Sequence, residues 1–100
     1  MVRKIAWTLR AQSDLKDIHE FISKDSTRYA QIQIEAIFDT VATLAAFSGM
    51  GHVIPEFPDS PYLEISEGIY RILYRFNEET DQIIIMSIVH GRKKLDRPNG

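Results

Sequence analysis

Residues 69–90 read IYRILYRFNEETDQIIIMSIVH, and this stretch decides the fold. Residues 69–76 alternate in polarity, which predicts a strand with two different faces, whereas residues 82–90 are apolar on both faces, which is typical of a strand inside a sheet. The polar residues 77–81 between them predict a turn. In the first of these strands, one face carries Tyr70, Ile72, Tyr74 and Phe76, and the other carries Arg71, Leu73 and Arg75.

Two further strands are predicted outside this stretch. Residues 62–66 form a short strand that is joined to the next one by a tight turn at Glu67 and Gly68. At the start of the chain, residues 2–9 alternate between apolar and polar side chains, which predicts a strand with one apolar face. Because the last three strands are joined by short turns, we expect a mainly antiparallel sheet.

Two amphipathic helices are predicted between the first strand and the others. They span about residues 9–24 and 27–47, where apolar side chains recur every three or four positions. The expected N-caps are Thr8 and Ser26 or Thr27, and the expected C-terminal glycine is Gly49. The buried stripe of the first helix is predicted to contain Ala11, Leu15, Ile18, Phe21 and Ile22, and its solvated side Asp14, Asp17 and Glu20.

This order of elements predicts an α+β fold, β-α-α-β-β-β, in a single domain over residues 1–100. It is a two-layer sandwich in which a helical hairpin packs on one face of the sheet.

Residues 48–61 include three of the four prolines, which predicts a loop. We expect its apolar side chains, Val53, Ile54 and Phe57, to pack against the rest of the domain. The opposite sheet face has no predicted cover, so we expect a partner to bind there. Its candidate partner-binding residues are Arg71, Leu73 and Arg75.

The composition describes a small domain without redox chemistry. The 100 residues include no cysteine, which excludes disulfides, thiolate nucleophiles and Cys-ligated zinc. A core of this size leaves little room for an enclosed active site. No apolar run is long enough to span a bilayer and no signal-peptide core is present, so we expect a cytoplasmic protein with no membrane partner.

The charge is low overall but unevenly distributed. The net charge of −2 argues against a protein that coats nucleic acid by charge alone. Residues 1–10 carry +3, residues 11–67 carry −7 and residues 68–100 carry +2. If the two basic ends meet in the fold, they form a basic patch for a phosphate-bearing or acidic partner. Its candidates at the C-terminal end are Arg92, Lys93 and Lys94.

Common catalytic motifs and metal-ligand spacings are missing, so no cofactor and no metal are expected. Metal-free RNA cleavage needs a base for the 2′-hydroxyl, an acid for the leaving oxygen and a cation for the developing phosphorane charge. The candidates are Glu56 or His52 as the base, His90 as the acid, and Arg71 or Arg92 as the cation. In the structural alternative, Arg71 and Arg75 pair with carboxylates such as Glu64. Glu56 then only forms hydrogen bonds within the loop.

Four segments, in their order and spacing, carry a family resemblance. They are residues 14–22 of the first helix, residues 50–56 of the loop, YRILYR at 70–75 and IVHGRK at 88–93. Together they resemble the RelE/ParE superfamily of toxins from bacterial type II toxin–antitoxin pairs. The match spans nearly the whole chain, and its most specific parts are YRILYR and VHGRK.

The resemblance implies a small toxin that a cognate antitoxin protein neutralises in a hetero-oligomer, with plasmid stabilisation as its cellular role. It also implies one of two activities. ParE-like toxins inhibit DNA gyrase by protein–protein contact and have no nuclease site, whereas RelE-like toxins are mRNA endonucleases that act on the ribosome. A third interpretation is an inactive relative that only binds its antitoxin.

The ParE branch is favoured by the HGRK ending, the long second helix and the low net charge, since ribosome-dependent nucleases tend to be strongly basic. Many relatives carry an arginine before the Glu of the short strand and another after the loop glycine, where this chain has Leu63 and His52. These two departures weaken the nuclease interpretation. Arg71 and His90 nevertheless fall where some nuclease members place a phosphate-binding Arg and an acid or base, so the ribonuclease stays the alternative.

Overall fold

Two helices and five strands make up the fold in the computed structural model of the chain, which describes residues 2–93 and Leu95. The elements follow one another in the predicted order, and one two-residue strand is added inside the predicted loop. The strands are β1 (Lys4–Trp7), β2 (His52–Val53), β3 (Leu63–Glu67), β4 (Tyr70–Asn77) and β5 (Gln82–His90). The helices are α1 (Leu9–Ser23) and α2 (Thr27–Ala46), and a 3-10 turn follows at Ser48–Met50.

The five strands form one mixed sheet in the order β1-β5-β4-β3-β2. β1 runs parallel to β5, and the three other pairs are antiparallel. The predicted α+β fold with a mainly antiparallel sheet is therefore confirmed. β4 lies at the centre of the sheet, so its side chains meet protein on both faces.

The two helices begin as predicted, but the second ends differently. Thr8 and Ser26 are the N-caps, and the hydroxyl oxygen of each accepts a backbone N–H bond from the first turn. The predicted C-terminal glycine is wrong, because α2 ends at Ala46 and Phe47 takes the cap position with a φ of −134°. The helix thus ends without the left-handed residue that a glycine would supply. Neither helix in the described part of the chain is long and apolar enough to cross a bilayer.

The main core lies between the helical hairpin and the sheet. Its fully buried side chains come from α2, β4 and β5, and include Ile37, Leu44, Ile72, Tyr74, Ile83 and Ile85. Phe21 was predicted in this core and is instead 68% exposed. Its ring lies on the solvated side of α1, where the ammonium of Lys24 is 5.9 Å from the ring centre.

The opposite face of the sheet is covered in part, which corrects the expectation of an open face. Ile54, Leu73 and Val89 are buried there in a second, smaller core, called the outer core below. Phe57, Tyr62 and Leu95 pack around it. The apolar side chains of the segment before β3 leave water by folding onto those of β4 and β5, which explains why a proline-rich segment covers the sheet.

An aspartate of α1 caps the part of β5 that extends beyond β1. The register shifts beyond Leu73, and there Asp14 accepts hydrogen bonds from the Ser87 hydroxyl at 2.6 Å and the Ile88 N–H at 2.9 Å. The expectation that Asp14 lies on the solvated side of α1 is therefore wrong. Its carboxylate is needed because the Ile88 N–H points away from β4 to the side of β5 where β1 has already ended at Trp7, so no strand satisfies it there.

We expect Asp14→Ala to lower the free energy of unfolding by about 2 kcal/mol, because it leaves the backbone N–H of Ile88 without its acceptor. Asp17→Ala, on the exposed side of the same helix, is the matched control and should change the free energy by less than about 0.5 kcal/mol. Urea unfolding of the two variants measures both values. Equal losses in the two variants would contradict the anchoring role of Asp14.

Arg3 and Arg92, one from each basic end of the chain, lie at opposite ends of β5. Arg3 pairs with Asp81, immediately before β5, with 3.3 Å between Nε and the carboxylate oxygen. Arg92 follows the other end of that nine-residue strand. A strand of this length separates the two arginines by about 30 Å, so they contribute to different surfaces.

Candidate functional site

Arg71 is the centre of the candidate site, and two carboxylates hold its guanidinium. The two terminal nitrogens donate to the two oxygens of Glu56, each at 2.8 Å, and Nε donates to Glu64 at 2.5 Å. Nη1 also donates to the backbone carbonyl of Lys93 at 3.2 Å. Arg71 is only 9% exposed, and we call Arg71, Glu56 and Glu64 the Arg71 cluster.

The sheet places two members of the cluster side by side. β4 directs Arg71 to the outer face, where its cross-strand neighbour on β3 is Ser66. Glu64 lies two residues before Ser66 and points to the same face, because side chains alternate along a strand. This diagonal position is within reach of a long side chain. Glu56 comes from the covering segment, whose Ile54 is anchored in the outer core.

The ion pairs fix the charge state of the cluster. Hydrogen bonds from Arg71 lower the pKa of the Glu56 carboxyl from 4.5 to about 2, and those to Glu56 and Glu64 raise the pKa of Arg71 above its usual value. Because the folded-state pKa of Glu56 is the lower one, its stabilising effect is present above pH 4.5 and is lost as the pH falls towards 2. At neutral pH Glu56 and Arg71 are therefore both ionised.

The two candidate histidines take different places around the cluster. His52 lies opposite Glu64 in the β2–β3 ladder, with 3.4 Å between Nε2 and Oε1. His90 lies opposite Tyr70, and the two rings meet edge to face with centroids 6.1 Å apart. Tyr70 belongs to the main core on the helix side, so His90 and Arg71 point to opposite faces of the sheet.

Of the five residues predicted for RNA cleavage, the structure brings Arg71, Glu56 and His52 together and places the other two, His90 and Arg92, at the end of β5. Arg71 contacts Glu56 directly, and His52 joins them through Glu64, whereas His90 lies across the sheet. The predicted base and acid therefore do not face one reaction centre. The structural alternative holds for Arg71, which pairs with Glu64, but not for Arg75, which forms no ion pair among the described residues. Glu56 also hydrogen-bonds to Arg71 and to the Leu95 N–H, which lie outside its loop.

The pairing of Arg71 limits its chemistry. Bidentate phosphate binding uses the same two terminal nitrogens that donate to Glu56. A phosphate would have to displace a carboxylate whose pKa of about 2 reflects how tightly that pair is held. The guanidinium of Arg71 is therefore occupied in this fold, whereas the other candidate cation, Arg92, is exposed to solvent.

A pocket of about 270 Å³ lies beside the cluster, where β3 turns into β4 and β5 ends. Its lining consists of Glu64, Ser66, Gly68, Ile69, Tyr70, Arg71, His90, Gly91 and Arg92. The cationic side chain of Arg92 stands at this pocket together with His90. Within the described residues, no group of three or more His, Cys, Asp or Glu side chains is placed to hold a metal ion.

The candidate partner-binding residues divide into a covered and an exposed set. Leu73 and Arg71 are buried, and Arg75 is half-buried on the same strand. Arg92 and Lys93 are exposed. Lys94 lies outside the described residues. The exposed pair is thus the part of the predicted set that can contact another protein without rearrangement of the covering segment.

Leu95 is a contributor that the sequence did not reveal. Its N–H donates to Glu56 at 3.1 Å, and its side chain packs on the outer core. The only sequence signal for this role is an isolated leucine within a run of charged residues. The turn at Gly91 brings it back over the sheet, and no local pattern encodes that path.

One family model matches the chain, over residues 5–95, and its description is the ParE toxin of the type II toxin–antitoxin system parDE. No curated protein matches the sequence at a significant level.

Three solved structures of toxin–antitoxin proteins have a similar fold. The toxin–antitoxin complex RelBE2 from Mycobacterium tuberculosis aligns with a TM-score of 0.68 at 18% identity, over 90% of this chain and 99% of that one. The chromosomal ParDE system from P. aeruginosa aligns with a TM-score of 0.70 at 18% identity, over 89% and 96%. A mutant of the E. coli toxin RelE in the free state aligns with a TM-score of 0.65 at 15% identity, over 92% and 86%.

Proposed function

The chain belongs to the ParE toxin family of type II toxin–antitoxin systems, and from this membership we propose that it inhibits DNA gyrase by protein–protein contact until a cognate antitoxin neutralises it. The observation that carries the gyrase proposal is the state of Arg71. Its guanidinium is buried, and its donors are occupied by Glu56 and Glu64 rather than free for a phosphate.

The position of His90 supports the same proposal. A nuclease needs its acid, base and phosphate-binding cation around one phosphate, within hydrogen-bonding reach. His90 lies on the helix side of the sheet and Arg71 on the outer side. The mRNA endonuclease is therefore the second candidate, and it would have to use His90 with Arg92 or a released Arg71 at the pocket that these three residues line.

An antitoxin is the second proposed partner. Two of the similar solved structures are toxin–antitoxin assemblies, a RelBE2 complex and a ParDE system. The described surface exposes several large apolar side chains, such as Leu9, Phe21 and Phe47, which are 67–83% exposed. Exposed apolar side chains of this size are suited to burial by a partner. We propose that the protein works in the cytoplasm, where gyrase acts.

The test uses toxin purified with its antitoxin and then separated from it. We expect the free toxin to reduce supercoiling of relaxed plasmid by purified gyrase, and added antitoxin to restore it. Charge reversal of the exposed pair, Arg92→Glu with Lys93→Glu, should raise the concentration for half-inhibition about tenfold or more, because like charges at a contact oppose association. Lys16→Glu with Arg28→Glu, an exposed double reversal on the helical hairpin, makes the same change in net charge and is the matched control, which should leave inhibition unchanged.

Each outcome separates the interpretations. Full supercoiling at a large excess of toxin that still binds its antitoxin would contradict gyrase inhibition and favour an inactive relative. Cuts in translated mRNA with normal gyrase activity would favour the endonuclease. Equal losses from both charge reversals would show that overall charge, rather than the exposed pair, governs the inhibition.

A further inference from the structure

The residues after β5 are fixed to the outer sheet face by the Arg71 cluster. Arg71 Nη1 donates to the carbonyl of Lys93 at 3.2 Å, and a Glu56 oxygen accepts from the N–H of Leu95 at 3.1 Å. The guanidinium and the carboxylate that bind each other thus also bind the backbone that follows the last strand. We call Gly91–Lys93 together with Leu95 the C-terminal segment.

A tight turn sets the direction in which this segment leaves β5. Gly91 donates its N–H to the Ile69 carbonyl at 2.6 Å, and a Cβ at Gly91 would lie 2.9 Å from that same oxygen. The Arg92 N–H donates to Nδ1 of His90 at 3.1 Å, and the Lys93 N–H donates to the His90 carbonyl at 2.9 Å. The backbone is therefore tied at both ends of the turn before it reaches the cluster.

The consequence is a fixed place for two positive charges. Arg92 and Lys93 are exposed, and neither forms an ion pair with a carboxylate of the described residues. Their backbone is held while their side chains stay in solvent, beside the pocket that Arg92 lines. An exposed basic pair on a rigid backbone complements an acidic protein surface, because the entropy of ordering the backbone has already been lost.

We propose that Arg71 and Glu56 are positioning residues, which hold the C-terminal segment so that Arg92 and Lys93 present a fixed basic site to an acidic surface of the target protein. The identity of that target rests on the proposed function, but the positioning does not. A buried ion pair is a weak source of stability compared with packed apolar side chains, whereas a satisfied polar network can impose one unique arrangement. Here the network includes the backbone of the segment itself.

The first test measures the segment directly, in the full chain. Glu56→Ala removes the acceptor of the Leu95 N–H and leaves Arg71 paired with Glu64, so the fold is retained. We expect amide hydrogen exchange at Leu95 to become at least tenfold faster, while the amide of Ile85 in the main core exchanges as before. Glu35→Ala, on the exposed side of α2, is the matched control. An unchanged rate at Leu95 would overturn the proposal.

The second test links the position of the segment to inhibition. Glu56→Ala should raise the concentration of toxin needed for half-inhibition of gyrase supercoiling about tenfold or more. Leu95→Pro removes the same N–H without touching the ion pair, and it should reproduce this loss with an unfolding midpoint close to wild type. Leu95→Ala keeps the N–H, and it separates the effect of the hydrogen bond from that of the side chain.

The outcomes distinguish the two proposals. Faster exchange at Leu95 with unchanged gyrase inhibition would show that the cluster only stabilises the fold, and would overturn the positioning role. Wild-type protein that does not inhibit gyrase would overturn the proposed function alone, because the exchange experiment contains no gyrase. Faster exchange together with weaker inhibition in both Glu56→Ala and Leu95→Pro supports the proposal.

Discussion

Replacement of Arg71 by alanine is expected to lower the free energy of unfolding by about 3–5 kcal/mol, because it leaves two carboxylates in the outer face without their counter-ion. Glu64 is 5% exposed and Glu56 is largely covered, so water cannot fully replace the guanidinium. A loss of this size is a large share of the stability of a 100-residue domain, and much of the variant should be unfolded at moderate urea concentrations. Urea unfolding followed by circular dichroism gives the value.

Arg75→Ala is the control for this prediction. Arg75 lies four residues further along the same strand, is half-buried, and forms no ion pair among the described residues. Arg75→Ala should lower the free energy of unfolding by no more than about 1 kcal/mol. Addition of Glu56→Gln and Glu64→Gln to Arg71→Ala should restore part of the stability, since it removes the unpaired charges. An Arg71 variant as stable as the Arg75 variant would contradict the structural role of the cluster.

Gly51→Ala is expected to be strongly destabilising, because Gly51 has the closest Cβ collision of the four described glycines. A Cβ at this position would lie 1.7 Å from the hydroxyl oxygen of Tyr74, whose side chain is fully buried in the main core. The backbone of Gly51 is extended, with a φ of −78°, so the effect comes from the collision and not from backbone strain. We expect a loss of about 3 kcal/mol or more in the free energy of unfolding.

Gly49→Ala provides the comparison within the same turn. A Cβ at Gly49 meets no atom within 4 Å, so alanine there should be neutral or stabilise by up to about 1 kcal/mol. Thermal unfolding of both variants tests the pair, and the expected shifts have opposite signs or very different sizes. Similar midpoints for the two variants would show that Tyr74 moves aside without loss of packing.

The fold was predictable because its signals are local. Thr8 and Ser26 begin the helices as their hydroxyl groups predict, and the alternation along β4 assigns Ile72 to the helix side and Leu73 to the outer side. The parallel pairing of β1 with β5 was not predicted, because it joins the start of the chain to its last strand. No pattern within either strand encodes such a contact.

Only the local half of the Arg71 cluster was predictable, because its other contacts join residues that lie far apart in the sequence. The partner of Arg71 on β3 follows from strand order, since Glu64 and Arg71 lie on either side of a tight turn. The second partner, Glu56, and the backbone of Leu95 reach Arg71 through tertiary packing of the outer core. The sequence shows that charged residues are present. It does not show that one of them, Arg71, is buried and paired with two carboxylates.

Because Arg71 is buried, the YRILYR segment does not form the basic, exposed surface that its sequence predicted. The alternation suggested a basic, open sheet face, yet one of its two arginines is a structural cation beneath a covering segment. The accessible basic residues instead follow β5, at Arg92 and Lys93. The surface that meets the target is therefore expected at the end of the sheet rather than across its outer face.

The most direct test of gyrase inhibition without nuclease chemistry uses one toxin preparation in two reactions. The toxin is added to a reconstituted translation system, in which the ends of the mRNA are mapped, and to a gyrase supercoiling reaction. We predict intact mRNA and a loss of supercoiling. New mRNA ends that appear only when ribosomes translate, and that disappear in His90→Ala while supercoiling stays normal, would contradict the account.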